Sequence, residues 1–144
     1  MTSTPAFSIR LAEWTADAPL LQGVRRAVFI VEQKVPEELE WDADDPVATH
    51  VLALAADGQA IGTGRLLPDG HIGRMAVSAL WRRRGVGLAI LRWLIACARA
   101  RGDAAAHLHA QTHALGFYAH AGFIAHGSVF MEAGIPHRAM TLSL

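Results

Sequence analysis

The spacing of apolar residues along this chain switches between two and about 3.6 residues, and each switch marks a new element. Phe7, Ile9 and Leu11 alternate with polar neighbours, which predicts a half-buried β-strand near the amino end. Residues 18–33 then carry apolar side chains at three- and four-residue spacing. Because Pro36 cannot continue a helix, we expect this helix to end just before it.

Three apolar segments that follow predict an antiparallel meander of strands. Residues 48–56 and 60–68 have strand composition, and an Asp-Gly pair between them is a common hairpin turn. A Pro-Asp-Gly turn at 68–70 repeats the signal before a third apolar segment, residues 71–79. We therefore expect three consecutive strands joined by tight turns.

The helical spacing returns at Gly85 and predicts a long amphipathic helix. The apolar positions expected on its buried face are Leu88, Leu91, Ile95 and Ala98. Gly102 provides a stop signal at the carboxyl end of this helix. Residues 104–111 form the next predicted strand, which should lie parallel to the strand before the helix because right-handed crossovers join parallel strands.

A short helix at 112–121 and two strands at 123–130 and 137–142 complete the prediction. The chain is therefore expected to be a single α/β domain over residues 1–144, with helices flanking a mixed sheet. It has 144 residues, of which 52% are hydrophobic, and this is enough to bury a sizeable core.

Composition narrows the classes of function. No segment approaches the roughly 18 apolar residues of a membrane span, and the amino end lacks the apolar core of a signal peptide. We therefore predict a soluble, cytoplasmic protein. The single cysteine, Cys97, excludes an internal disulfide framework and is expected to pack in the core. A net charge of zero is a poor match to a nucleic-acid-binding protein.

One short segment concentrates positive charge and glycine where the long helix starts. Residues 80–91 have the sequence LWRRRGVGLAIL. A helix N-terminus offers unpaired N–H groups and the positive end of the helix dipole, so the segment predicts an anion site. A dinucleotide fingerprint would need glycine in place of Ile90, and a P-loop would need a Gly-Lys-Ser/Thr ending. Neither pattern is present, so the anion belongs to another class of ligand.

The pattern Arg82-x-x-Gly85-x-Gly87, between a strand and a long helix, resembles the GNAT superfamily of acyl-CoA N-acyltransferases. A second segment, ALGFYAHAGF at 114–123, is similar to the family's Ala-x-x-aromatic-Tyr-x-x-x-Gly-Phe segment. The segments VFIVEQKVP, LHAQTHALGFY and EAGIPH are similar to the ElaA-type bacterial branch. The resemblance covers nearly the whole chain and implies a mostly antiparallel sheet with one parallel, splayed pair of strands.

The resemblance also implies that acetyl-CoA is the cosubstrate and that no metal takes part. Backbone N–H groups of the glycine loop would bind the pyrophosphate, and a backbone N–H at a strand bulge near Met75 to Val77 would polarise the thioester carbonyl. Gln111 stands where many members have an asparagine that contacts the pantetheine arm, and it keeps the amide with a longer reach. The expected cofactor-binding positions are Met75, Ala76, Val77, Arg82, Arg83, Arg84, Gly85, Val86, Gly87 and Gln111.

Two catalytic residues are expected. The resemblance implies that Tyr118 donates a proton to the departing CoA thiolate, and the alternative is a buried tyrosine with a structural hydrogen bond. His71 is the candidate base for the amine, because it begins the strand that leads to the bulge. By two-residue alternation its strand face should also carry Gly73, Met75 and Val77. The alternative for His71 is an exposed turn histidine.

Other polar residues receive a more limited interpretation. Among the eight histidines, His107 and His109 share a strand face close to His113, but no Cys, Asp or Glu nearby completes a compact zinc site. We therefore expect no metal. Glu132 and His137 are interpreted as loop residues that line the acceptor pocket.

The sequence therefore predicts an N-acetyltransferase that transfers the acetyl group of acetyl-CoA directly to a primary amine in a ternary complex. The alternative is a non-catalytic acyl-CoA-binding or sensing domain of the same fold. The acidic run after the first helix would favour a cationic acceptor if it lines the acceptor channel, as the resemblance implies, and is otherwise a solvated loop. Its members are Glu37, Glu38, Glu40, Asp42, Asp44 and Asp45. A homodimer is left open.

Overall fold

Seven strands and four α-helices make up the fold of residues 6–144, the part of the chain that the computed structural model describes. The strands are β1 Phe7–Ala12, β2 Thr49–Ala55, β3 Ala60–Leu66, β4 Ile72–Val77, β5 Ala105–Gln111, β6 Ile124–Glu132 and β7 Ile135–Ser143. The helices are α1 Trp14–Arg25, α2 Glu37–Glu40, α3 Val86–Ala100 and α4 Leu115–His120. A π-helical segment, Arg26–Glu32, extends α1. The predicted order of elements is confirmed.

The first helix begins four residues earlier than the spacing of apolar residues predicts, at Trp14. The Asp17 carboxylate accepts a hydrogen bond of 2.9 Å from the backbone N–H of Glu13, and it also binds the Arg10 guanidinium. The Asp17 carboxylate thus provides a hydrogen-bond acceptor for a backbone N–H group at the start of the helix. A search for apolar spacing does not detect such groups.

The first four strands form an antiparallel sheet in the order β1-β2-β3-β4, which confirms the predicted meander. Gly58, in the hairpin between β2 and β3, has a φ of 87°, a conformation that glycine adopts without strain. The last three strands form a second antiparallel sheet in the order β5-β7-β6.

The two sheets meet at a single parallel bridge, between His71 before β4 and His107 in β5. The backbone N–H of His107 donates to the carbonyl of Gly70 at 3.0 Å. Beyond this bridge β4 and β5 carry no shared ladder among the described strands, so they diverge and leave a V-shaped cleft. The predicted parallel, splayed pair of strands is therefore confirmed.

Helix α3 packs its apolar face against the first sheet and contributes more residues to the main core than any other described helix or strand. Its buried residues are Val86, Ile90, Leu91, Leu94, Ile95 and Ala98. The face is shifted from the predicted one, because Val86 and Ile90 are buried where Leu88 is only half-buried. A Cβ atom at Gly64 of β3 would lie 2.9 Å from Ile90 Cγ2, so this glycine allows the strand and the helix to approach closely.

Gly102, with a φ of 87°, follows the end of α3 as predicted. Among residues 6–144, no helix is long and apolar enough to cross a membrane.

Candidate active site

The start of α3 presents backbone N–H groups without a side-chain cap. Gly85 occupies the N-cap position with a φ of 85° and a ψ of 2°, and neither a capping side chain nor an acidic residue lies in the first turn. Val86 is buried in the core. Any ligand at this helix end would therefore meet the backbone rather than the Val86 side chain.

Gly87 lies against α4. A Cβ atom at this position would be 3.4 Å from Phe117 Cζ and 3.6 Å from Val77 Cγ2. These are ordinary van der Waals distances for a Cβ atom, but a longer branched side chain at position 87 would extend towards the short helix that carries Tyr118. Gly85, by contrast, has a left-handed backbone conformation that favours glycine.

The three adjacent arginines have different environments. Arg82 forms a bidentate ion pair with Glu32, with both N–O distances at 2.7 Å, and its Nε donates to the carbonyl of Val77. The hydrogen bonds from Arg82 lower the pKa of the Glu32 carboxyl. The Arg84 guanidinium lies 5.3 Å from the centre of the Trp81 ring, and Arg83 is exposed. Arg82 thus ties the loop to the π-helical segment.

The cleft between β4 and β5 contains a cavity of about 630 Å³. The predicted site residues that line it are His71, Met75, Ala76, Val77, Arg82, Gln111 and Tyr118. Arg83, Arg84, Gly85, Val86 and Gly87 do not line it. The cavity therefore extends from Arg82, beside the start of α3, to His71 at the vertex of the V.

A bulge interrupts β4 in the middle of the cleft. Gly73 pairs with Arg65 and Ala76 pairs with Thr63, so Arg74 and Met75 share the space opposite one residue of β3. Arg74 has a φ of 50°. The bulge at Arg74 and Met75 therefore lies at the amino-terminal end of the segment Met75–Val77, near which a bulge was expected.

The bulge changes which side chains share a face. Because Arg65 and Thr63 are two residues apart, their partners Gly73 and Ala76 face the same way, and Val77 faces the opposite way. The prediction that His71 and Gly73 share a face with Met75 and Val77 is therefore wrong. Simple alternation fails once an extra residue enters the strand.

Tyr118 projects from α4 into the cavity. Its ring makes edge contacts with Phe117 and Phe123, at centroid distances of 5.0 and 6.1 Å. Burial raises the pKa of the Tyr118 phenol to about 12, so the hydroxyl stays protonated at neutral pH. Within residues 6–144, no protein group forms a hydrogen bond with this hydroxyl, so the structural hydrogen bond of the alternative interpretation has no partner there.

Gln111, the expected pantetheine contact, is paired with Gln33. The two amides exchange hydrogen bonds of 3.0 and 3.4 Å between the carboxyl end of β5 and the residue after the π-helical segment. The Gln111 side chain is therefore held across the cleft by a residue that the sequence did not bring to notice.

His71 lies at the vertex of the V with a half-exposed ring. Its centre is 5.3 Å from that of His107 and 5.9 Å from that of His109. His71 Nδ1 lies 3.0 Å from Asp69 Oδ1, but the angle is unsuitable and Nδ1 is left without a hydrogen bond. His71 thus lines the cavity and also remains close to the preceding turn.

A second polar group lies on the opposite wall of the cavity. His109 Nδ1 is 3.3 Å from Glu132 Oε1, and His137 Nε2 is 3.7 Å from Glu132 Oε2. All three side chains line the cavity. The expectation that Glu132 and His137 belong to a loop is wrong, because they are the last residue of β6 and a residue within β7.

A family model for the acetyltransferase (GNAT) domain matches residues 15–144. The chain belongs to the GNAT acetyltransferase family. Acyl transfer is the general chemistry of this family, and the GNAT fold implies that the cosubstrate is an acyl-CoA.

Several relatives and structures are similar to this GNAT chain. The uncharacterized protein YyaT of Bacillus subtilis is 37% identical over 124 residues, which cover 82% of this chain and 83% of YyaT. ElaA of Escherichia coli is 35% identical over 130 residues, which cover 84% of this chain and 83% of ElaA. The crystal structure of an acyl-CoA N-acyltransferase from Pseudomonas aeruginosa has a TM-score of 0.84 and 32% identity, covering 96% of this chain and 100% of that one. These similarities confirm the predicted family and its ElaA-type branch.

The acidic run of this GNAT chain is largely paired with arginines. Asp45 is 1% exposed and binds Arg25 at 2.7 Å and Arg65 at 2.8 Å. Glu40 is also buried and accepts a hydrogen bond of 2.6 Å from Arg25 Nε. Burial raises the pKa of the Glu40 carboxyl despite these cations.

Asp42 is bound as well, since its carboxylate contacts both Arg65 and Arg74. The hydrogen bond from Arg65 lowers the pKa of Asp42. The exposed Glu37 pairs with Arg26. These carboxylates do not form a row of free negative charges, and this weakens the expectation of a cationic acceptor.

Several residues that line the GNAT cavity escaped the sequence analysis. They are Glu32, Gln33, Arg65 and Arg74. Each lies far along the chain from its partner, as with Glu32 and Arg82, and no local pattern predicts such pairs. Within the part of the chain that the structure describes, no three metal-binding side chains form a group suited to a metal ion.

Proposed function

We propose that this protein is an N-acetyltransferase that transfers the acetyl group of acetyl-CoA directly to a primary amine in a ternary complex. One observation supports the proposal: a cleft extends from Arg82, just before the uncapped start of α3, past the β4 bulge and Tyr118, to His71 and His109 at its vertex. These features follow one another in the same order as the chemical groups of acetyl-CoA, with the pyrophosphate expected at the Arg82 end and the thioester deeper in the cleft.

The pyrophosphate binds at Arg82–Gly87 mainly through backbone N–H groups. This follows from the positive end of the α3 dipole and the left-handed Gly85, which leaves the helix start open. Arg83 and Arg84 add attraction that solvent and salt screen. Arg82 contributes less free charge, because Glu32 already binds it.

The thioester lies between the β4 bulge and Tyr118. A backbone N–H in the segment Met75–Val77 donates to the carbonyl oxygen as negative charge develops on it. The amine nitrogen attacks the carbonyl carbon, the carbon–sulfur bond breaks, and the CoA thiolate takes a proton from the Tyr118 hydroxyl. The raised pKa of Tyr118 ensures that this proton is present before the reaction.

The test is to incubate the purified protein with acetyl-CoA and a panel of primary amines, including cationic and neutral ones. Thiol release and mass spectrometry of the amines then report transfer. We expect at least one amine to gain an acetyl group in step with release of CoA. Binding of acetyl-CoA by calorimetry without any acetylated product would instead indicate the non-catalytic acyl-CoA-binding domain.

A further inference from the structure

The vertex of the cleft brings together histidines from β5 and from the turn before β4. The two strands separate after the bridge between His71 and His107, and His109 is the next residue on the same face of β5. A substrate that enters beside the start of α3 points its far end at this vertex. Histidine is the side chain that most often accepts a proton in enzymes at neutral pH.

Glu132 selects one tautomer of His109. The contact between His109 Nδ1 and Glu132 Oε1 is 3.3 Å, and an ionised carboxylate only accepts hydrogen bonds. In the neutral ring Nδ1 therefore carries the hydrogen, and Nε2 keeps the lone pair that can accept a proton. The same arrangement of carboxylate and imidazole orients the base in other enzymes.

Aromatic contacts hold the ring of His109. Phe130 meets it edge to face at 4.9 Å, and His71 meets it edge to face at 5.9 Å. Glu132 is in turn placed between two rings, with Oε2 at 3.7 Å from His137 Nε2. His137 is fixed through Nδ1, which donates to the carbonyl of Ile135 at 2.7 Å.

We propose that His109 Nε2 accepts the proton of the acceptor amine and that Glu132 is its positioning residue. The inference rests on the proposed function and assigns a base that neither the sequence nor the family comparison identifies. The ammonium form of the acceptor gives one proton to His109, and the imidazolium forms beside the Glu132 carboxylate. After attack, the second proton leaves the nitrogen and replaces the one that Tyr118 gives to the thiolate.

His71 is less suited to this role. The Asp69 carboxylate beside it accepts a hydrogen bond from the backbone N–H of His71, at 3.0 Å, and forms none with the ring. The groups that face His109 are His71 from the β3–β4 turn, Glu132 from β6 and His137 from β7, and any pH profile reports them together.

The experiment compares His109→Gln, Glu132→Gln, His71→Gln and the control His107→Gln in acetyl transfer to one amine between pH 6 and 10. His107 is a matched control, since it lies on the same strand face but outside the cavity. We expect His109→Gln to lower kcat at neutral pH by about a hundred- to ten-thousandfold. The loss should shrink as pH rises, because the amine then arrives deprotonated, and the KM for acetyl-CoA should stay within a few-fold.

Glu132→Gln should lower kcat less than His109→Gln and should alter the pH profile, while His107→Gln should remain within a few-fold of the parent. A His109→Gln protein with the parent's rate at neutral pH, or a loss that is equal at all pH values, would overturn the inference. A parent that acetylates no amine would overturn the proposed function and this role with it. An active parent with an unaffected His109→Gln variant overturns the inference alone.

A second measurement does not depend on turnover. Nitrogen-15 NMR of the intact protein reports which ring nitrogen of His109 carries the hydrogen. We expect the Nδ1–H tautomer in the parent and a shift towards Nε2–H in Glu132→Gln. A parent with the Nε2–H tautomer would contradict the role of Glu132.

Discussion

Two groups of ionisable side chains are held in opposite ways. At the end of α1, outside the residues that line the cleft, Arg25 and Asp45 are each 1% exposed and bind one another at 2.7 Å. In the cleft, the side chains of His109 and Glu132 are 42% and 49% exposed, and a single hydrogen bond of 3.3 Å joins them. Buried charges must be paired and so fix the structure, whereas half-exposed groups remain free to exchange protons.

The comparison shows that the buried carboxylates of the acidic run have a structural role. Its three most enclosed carboxylates face three arginines from α1, β3 and β4, so they hold these elements together. By contrast, His109 and Glu132 line the cleft, share one hydrogen bond and are half-exposed. This second group is therefore the better candidate for chemistry.

Removal of one buried cation should have the largest effect on stability. Arg25→Met leaves Glu40 and Asp45 without their shared partner, so we expect a loss of about 3–5 kcal/mol in the free energy of unfolding. Urea denaturation measures it. The control is Arg26→Met, which breaks the exposed pair with Glu37 and should change the free energy of unfolding far less. Equal losses in the two variants would remove the distinction between buried and exposed charges.

An intermediate effect is expected at the open end of the cleft. Gly87→Val would add a branched side chain beside Phe117, next to the proposed pyrophosphate site, and we expect acetyl-CoA affinity to fall about tenfold, which corresponds to about 1.4 kcal/mol. Calorimetry measures the affinity. Ala96→Val places the same side chain at an exposed position of α3 and should bind acetyl-CoA as the parent does. Unchanged affinity in a folded Gly87→Val protein would reject the pyrophosphate site.

The smallest effect is expected at the exposed pair between Arg82 and Glu32. Arg82 lowers the pKa of Glu32, so this pair stabilises the fold above the carboxyl's unfolded pKa, and the contribution is lost as pH falls through the lower, folded value. Arg82→Gln should therefore cost about 0.2–1 kcal/mol at neutral pH and almost nothing in acid. Urea denaturation at both pH values checks this. A larger cost in acid than at neutral pH would contradict the sign.

Periodicity in the sequence predicted the elements because apolar spacing reflects burial over many residues. It predicted α3 and the meander, whereas the splayed pair was implied by the family resemblance. It placed His71 on the wrong face, because the bulge at Arg74 adds a residue that alternation cannot anticipate. It also missed the pairs of Arg82 with Glu32 and of Gln111 with Gln33, which join residues 50 and 78 positions apart. Such pairs depend on tertiary structure and leave no local pattern.

The most direct test of the proposed enzyme is the turnover of Tyr118→Phe. The substitution keeps the ring and its contacts with Phe117 and Phe123 and removes only the hydroxyl. Since the thiolate takes its proton only along the reaction path, we predict a fall in kcat of about a hundred- to ten-thousandfold with little change in the KM for acetyl-CoA. His120→Gln, on the exposed side of α4, serves as the control. A Tyr118→Phe protein that turns over at the parent's rate would contradict the assignment of Tyr118 as the acid in acetyl transfer.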